Sequence, residues 1–134
     1  MPPYETITEP AIAALVDRFY GKARQDPLIG PVFNNAVHDW DEHLHNLHDF
    51  WSSVMLTSGR YKGNPMAAHM KHPIEPGFFD RWLELWRETA VELFAPTLAA
   101  QFRARAERIA ESLKLALFYR PGAIPLRSTG AVTG

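Results

Sequence analysis

Apolar residues recur at helical spacing along most of the chain, and the alternation typical of strands is nearly absent. Thr8 is suited to cap a first helix, with Pro10 in its first turn. The apolar stripe of this helix consists of Ile12, Leu15, Val16, Phe19 and Tyr20. Because other helices must cover such a stripe, the pattern predicts an all-α fold.

Proline-containing pairs divide the chain after this first helix. Asp26-Pro27 and Gly30-Pro31 break the helical pattern. A brief apolar piece then begins at Val32 and Phe33, and the following Asn34-Asn35 pair is predicted to be loop.

Further helices are predicted in the remaining chain. A long one should run from Trp40 to Leu56, with Asp39 as its cap. A short one should begin at Pro65 and continue through Met70. A third long helix is predicted from Phe78 to about Phe94, and the last from about Thr97 to residue 118 or 119.

The length, charge and composition of the chain limit the classes of function that it can have. The 134 residues indicate one domain, predicted at residues 1–120, followed by a disordered tail at 121–134. A formal net charge of −1 provides no general attraction to nucleic acid or to an anionic membrane, and the lack of cysteine excludes disulfides and thiolate metal sites. No apolar run approaches the roughly 18 residues needed to span a membrane, and no signal peptide is visible, so a cytoplasmic location is expected.

The chain has six histidines, which are candidates for metal or ligand chemistry. His45 and His48 share a polar face of their predicted helix, so both are expected to be solvated. His43 shares the apolar stripe of Trp40 and Leu47. That position fits either a hydrogen-bonded structural residue or a residue that faces a pocket.

His69 follows Met66-Ala67-Ala68, whose small or soft side chains would let a flat macrocycle approach the helix closely. One imidazole and a dry pocket are what a buried haem iron needs from a protein. The alternative is an exposed histidine near a helix end, which the helix dipole stabilises. On spacing alone the second interpretation is the stronger.

Tyr20, His43 and Trp82 each carry a polar tip on an otherwise apolar ring. Any one of them is weak evidence, because a core residue can bond its tip to backbone. Together they fit a cavity that stabilises a small polar ligand without admitting bulk water.

Several segments together resemble the truncated globins, and within them the third group. The resemblance extends from Tyr4 to Tyr119. It is carried by Glu5–Ile7, Phe19–Lys22, Asp26–Asn35, Trp40–His43, Phe50–Trp51, Tyr61–Pro65 with His69, and Phe78–Leu83. The Gly-Gly pairs usual at two inter-helix corners of the first and second groups are absent, which favours the third.

The resemblance implies a two-over-two helical sandwich around a b-type haem. His69 would be the iron ligand on one side of the haem. Tyr20 and Trp82 would donate hydrogen bonds to bound ligand on the other side, and His43 would gate that side. Further cofactor contacts are implied at Phe33, Leu47, Tyr61, Lys62, Met66 and Trp86, with Arg60 and Lys71 as alternative partners of the propionates.

The implied function is binding of O2 or another small ligand, such as NO, CO, cyanide or peroxide. Two hydrogen-bond donors would slow ligand release, which favours redox chemistry or detoxification over transport. NO dioxygenation and peroxide reduction are candidate reactions, and a reductase is a candidate partner. Whether the protein is an enzyme, and whether His43 binds the iron itself, stays open.

Two other interpretations remain. The first is a non-haem metal protein that uses His38, His43, His45 and His48. Glu42-His43-Leu44-His45 is the one Glu-x-x-His pair that a di-iron bundle would need twice. The second is a cofactor-free interaction module whose aromatic residues all belong to the core.

Overall fold

The computed structural model describes residues 3–64 and 74–118. Within these residues the chain forms five helices. They are α1 (Glu9–Ala23), α2 (Gly30–Ala36), α3 (Trp40–Leu56), α4 (Pro76–Leu93) and α5 (Pro96–Phe118). The predicted short helix at Pro65 and the predicted tail at 121–134 lie outside the described residues.

Both predicted helix caps are confirmed. The Thr8 hydroxyl accepts a hydrogen bond from the Ala11 amide at 3.2 Å, and the Asp39 carboxylate accepts one from the Glu42 amide at 3.2 Å. These bonds satisfy amides that lack a partner inside their own helix. At the other end of α3, Thr57 adopts a left-handed conformation with φ of 52°, which ends the helix.

The predicted loop at Asn34-Asn35 is wrong, because both residues belong to α2. The Asp26 carboxylate organises the turn before this helix by accepting from the amides of Leu28 and Ile29, each at 3.0 Å. The Asn34 side chain then donates to the backbone oxygen of Arg24 at 3.0 Å. These bonds outweigh the low helix propensity of asparagine.

The starts of the last two helices also differ slightly from the prediction. α4 begins at Pro76 and α5 at Pro96, one or two residues earlier than expected. Proline is favoured in the first helical turn, where its missing amide is not needed.

The helices form two layers. α1 packs against α3, α4 packs against α5, and α1 also packs against α4. The predicted all-α, two-over-two arrangement is therefore confirmed. None of the described helices combines the length and the apolar character that crossing a membrane requires.

The centre of the core is a stack of indole rings between the layers. Trp51 of α3 stacks on Trp86 of α4 with ring centroids 4.4 Å apart and planes 22° from parallel. The Trp86 indole N–H donates to the backbone oxygen of Phe102 in α5 at 3.3 Å. Trp51 and Trp86 are each only 1% exposed, so this stack fixes the separation of α3, α4 and α5.

The start of the described chain is tied to the corner between α4 and α5. The Tyr4 amide donates to the Leu93 oxygen at 2.7 Å, and the Ala95 amide donates to the Tyr4 oxygen at 3.0 Å. The Tyr4 ring packs on Phe94 with centroids 5.4 Å apart. This isolated bridge was not predicted, because two backbone bonds leave no periodic signal in a sequence.

Candidate ligand cavity

A cavity of about 400 Å³ lies between the two layers. Its size is within the range of small-molecule and cofactor sites. Predicted site residues on its described wall are Tyr20, Phe33, His43, Leu47, Tyr61, Lys62 and Trp82. The structure therefore brings together residues from α1, α2, α3, α4 and the loop after α3. Met66, His69 and Lys71, also predicted, lie outside the described residues.

Tyr20 occupies the inner face of α1 near the helix end and is 5% exposed. Its ring makes edge-to-face contacts with Phe33 at 5.2 Å and with His43 at 5.7 Å. Burial raises the pKa of the Tyr20 hydroxyl, and a hydrogen bond with the Trp82 side chain lowers it by less. The hydroxyl therefore keeps its proton and remains a hydrogen-bond donor.

Trp82 lies on the cavity wall, and Trp86 lies behind it. The two indoles stack with centroids 6.0 Å apart and planes only 9° from parallel. Trp86 lines no part of the described cavity wall, and its N–H already bonds Phe102. The structure thus places Trp86 in the core, where it supports Trp82. Residues four apart lie on the same face of a helix, but one can line a cavity while the other is buried in the core. Helical spacing in the sequence therefore could not distinguish the positions of Trp82 and Trp86.

His43 faces the cavity from α3, with its Nε2 atom buried. Its ring stands edge-to-face against Tyr20 at 5.7 Å and against Trp40 at 5.3 Å. Tyr20 and Trp40 lie 6.0 Å from each other, so the three rings form one cluster. The other two histidines of α3 point elsewhere. His45 lies 3.4 Å from Asp49 with its side chain 72% exposed. His48 bonds Asp17 at 2.9 Å and is less solvated than predicted.

A second cavity of about 330 Å³ lies on the outer side of His43, between α2, α3 and the start of α4. Phe33, His43, Asn46 and Phe78 line both cavities and form the partition between them. Sequence patterns did not predict this cavity, because its wall combines residues from three helices.

The loop after α3 places two cations beside the first cavity, at Arg60 and Lys62. Arg60 lies 3.5 Å from Glu9. The Glu9 carboxylate accepts a 2.7 Å bond from Ser52, whose side chain is fully buried in α3. A hydrogen-bond network anchored on buried Ser52 therefore fixes the start of this loop on α1 and α3.

Tyr61 lies between the two cations of this loop. Its amide donates to the Ser53 hydroxyl at 2.9 Å, and its ring stands edge-to-face on Phe50 at 5.2 Å. Burial raises the pKa of the Tyr61 hydroxyl. One edge of the cavity consequently carries a neutral phenol flanked by two positive charges.

Several wall residues were not predicted as site residues. They are Asn46, Asp49, Phe50, Trp51, Gly63, Phe78, Phe79, Ile109 and Leu113. Most are apolar, and helical periodicity predicts that such residues are buried. Periodicity does not distinguish a side chain that faces a neighbouring helix from one that faces a cavity.

Residues 3–64 and 74–118 contain no group of three or more histidine and acidic side chains placed to hold a metal ion. The alternative interpretation, a non-haem metal site at His38, His43, His45 and His48, therefore gains no support from the part of the chain that the structure describes.

Comparison with known proteins gives consistent matches. The family model described as bacterial-like globin matches residues 3–114. Over 120 residues the chain is 34% identical to the Group 3 truncated hemoglobin ctb of Campylobacter jejuni, covering 86% of this chain and 94% of that protein. The crystal structure of a group III truncated hemoglobin from Campylobacter jejuni matches with a TM-score of 0.84 at 32% identity. That match covers 88% of this chain and 97% of the other.

Proposed function

The chain belongs to the bacterial-like globin family, as a truncated haemoglobin of the third group, and from this premise we propose that its first cavity holds haem b and binds small ligands. The family implies haem binding. The identity of the haem, its ligands and its reaction are part of the proposal.

The described wall residues fit a haem. A haem is a flat apolar disc with two carboxylates at one edge. The cavity offers apolar faces from Phe33, Phe78 and Leu113. At the cavity edge, Arg60 and Lys62 are suited to pair with the two carboxylates.

His69 is proposed as the iron ligand. The residues before it, Met66, Ala67 and Ala68, have small or soft side chains that would let the haem approach this histidine closely. When bound, haem supplies an iron at which O2, NO, CO, cyanide or peroxide can bind.

The observation that carries the proposal is the pair of donors on the cavity wall. Tyr20 is almost fully buried and protonated, and the Trp82 indole N–H donates to its oxygen. The Tyr20 O–H can donate to a ligand that gains negative charge, and the Trp82 N–H can donate to the same ligand when it releases its bond to Tyr20. His43 faces the same space and is proposed to gate it.

Two donors retain a ligand longer than a transport protein requires. We therefore infer a redox or detoxifying role, with NO dioxygenation and peroxide reduction as candidate reactions. Repeated turnover requires an external electron donor such as a reductase. A cytoplasmic location agrees with this role and stays a prediction.

The visible spectrum of the purified protein with added haem tests the proposal. The expected result is a Soret band that saturates at one haem per chain. His69→Gly should change the spectrum and weaken haem retention, whereas His72→Gly, in the same segment, should change neither. If the His69→Gly protein has an unaltered spectrum, residue 69 is not the iron ligand. If the unmodified chain leaves the spectrum of free haem unchanged, the haem proposal fails.

A further inference from the structure

We propose that Arg24 and Trp40 form a clamp that holds the His43 ring in the partition between the two cavities. The clamp thereby controls the rate at which a ligand reaches the first cavity and the size of ligand that can enter. This inference rests on the proposed function, because the access rate is measured through ligand binding to haem. Arg24 and Trp40 are positioning residues, since they act through His43.

Among the three rings of the partition, that of His43 is the one suited to move. Phe33 and Phe78 are packed against each other with ring centroids 5.5 Å apart, and Phe78 is 6% exposed. His43 is half-buried, and its outer side borders the second cavity of about 330 Å³. An imidazole that turned into this space would open a passage between the cavities without moving a helix.

The second cavity also has a polar lining that connects it with solvent. His38, Asp39 and Glu42 are all exposed and all line it. A small ligand from water can therefore reach the His43 ring through the second cavity. The acidic side chains that line this cavity beside His43 are those of Asp39 and Glu42.

The clamp reaches the His43 ring through Trp40. Trp40 contacts the imidazole edge-to-face, with centroids 5.3 Å apart and planes 87° from parallel. Tyr20 makes a similar contact at 5.7 Å and 89°, and its own ring lies 6.0 Å from that of Trp40. His43 thus packs on two aromatic rings that also contact each other, and turning into the second cavity would break both of its contacts.

Arg24 fixes the Trp40 ring of this arrangement. Its guanidinium carbon lies 4.2 Å from the centre of the Trp40 ring, which is cation–π geometry. Its backbone oxygen accepts from the Asn34 side chain at 3.0 Å. Arg24 therefore connects the end of α1 with α2, through Asn34, and with the first turn of α3, through Trp40.

Removal of the clamp should accelerate ligand access. Loss of an exposed cation–π contact corresponds to about a two- to fivefold faster association rate for Arg24→Gln. Loss of the aromatic contact corresponds to about a tenfold faster rate for Trp40→Leu. Arg24→Lys keeps a cation over the ring and should stay closer to the unmodified protein than Arg24→Gln.

The experiment uses the full chain loaded with haem. Laser flash photolysis measures the association rates of CO and of n-butyl isocyanide. The larger ligand needs a wider opening, so its rate should rise more than that of CO in Arg24→Gln and Trp40→Leu. Arg87→Gln, which removes an exposed arginine of α4, is the matched control and should leave both rates unchanged.

A second measurement reports on the ring itself. In the diamagnetic CO form, the NMR shifts of the His43 ring protons should move in Arg24→Gln in the same direction as in Trp40→Leu, because both changes reduce the ring current from Trp40. Thermal unfolding midpoints identify any variant whose change is merely a loss of stability.

Unchanged rates for both ligands in folded, coloured Arg24→Gln and Trp40→Leu proteins would overturn the clamp while leaving the haem proposal intact. Equal association rates for Arg24→Lys and Arg24→Gln would show that the cation–π contact does not contribute to the clamp. A chain that takes up no haem refutes the proposed function instead.

Discussion

Tyr20→Phe is the sharpest perturbation of the cavity, because it removes one oxygen atom and keeps the ring. The ring contacts with Phe33 and His43 do not need the hydroxyl. A hydrogen bond to a partly charged acceptor contributes about 1.5–3 kcal/mol, which corresponds to roughly a ten- to hundredfold change in release rate. Trp82 remains as a second donor, so about a tenfold faster release of O2 is expected.

Stopped-flow mixing of the O2-bound ferrous protein with excess CO measures this release rate. Tyr4→Phe is the matched control, because Tyr4 lies at the start of the described chain, is 40% exposed and does not line the cavity. Trp82→Phe and the double variant show whether the two donors act on the same ligand atom. If so, their effects on the release free energy will not add. A Tyr20→Phe release rate within twofold of the unmodified protein would show that the hydroxyl does not contact the ligand.

Three further predictions concern stability. For Asp26, burial raises the pKa, but the amides of Ile29 and Leu28 and the Arg81 guanidinium together hold it below its usual value. Asp26 therefore stabilises the fold above a pH of about 4 and loses that effect as pH falls through the lowered pKa. Urea unfolding of Asp26→Asn should show a loss of about 1–3 kcal/mol at pH 7 and a weaker acid dependence; an unchanged acid dependence would contradict this. Ser52→Ala leaves Glu9 without its 2.7 Å donor and should lower the free energy of unfolding by about 1–3 kcal/mol in the same assay. An unchanged free energy of unfolding would indicate that water replaces the serine hydroxyl. Because the pKa of Tyr20 is raised in the fold, stability should fall above about pH 10 by up to about 1.4 kcal/mol per pH unit, and less steeply in Tyr20→Phe.

Local rules explain what the sequence predicted well. The caps at Thr8 and Asp39 depend on a side chain and an amide three residues away, so neither requires knowledge of the fold. The bounds of α3 were predicted for the same reason. In contrast, α2 depends in part on the Asn34 side chain, which donates to the Arg24 backbone oxygen in the preceding helix end, and its sequence alone resembles a loop.

The cavity was predicted less completely, because helical periodicity shows which face of a helix is apolar but not whether a side chain on that face lines a cavity or is buried in the core. Trp82 and Trp86 lie on the same face of α4, yet one lines the cavity and the other is buried against Phe102. This difference depends on α5, in which a backbone oxygen accepts the hydrogen bond from the N–H of Trp86. A resemblance to a family identifies the polar tips, since those recur with the chemistry. It does not identify Arg24, whose guanidinium acts on the cavity through Trp40 and His43 and touches no ligand. Residues of this kind become visible only when ring positions are known, which is why the clamp follows from the structure and not from the sequence.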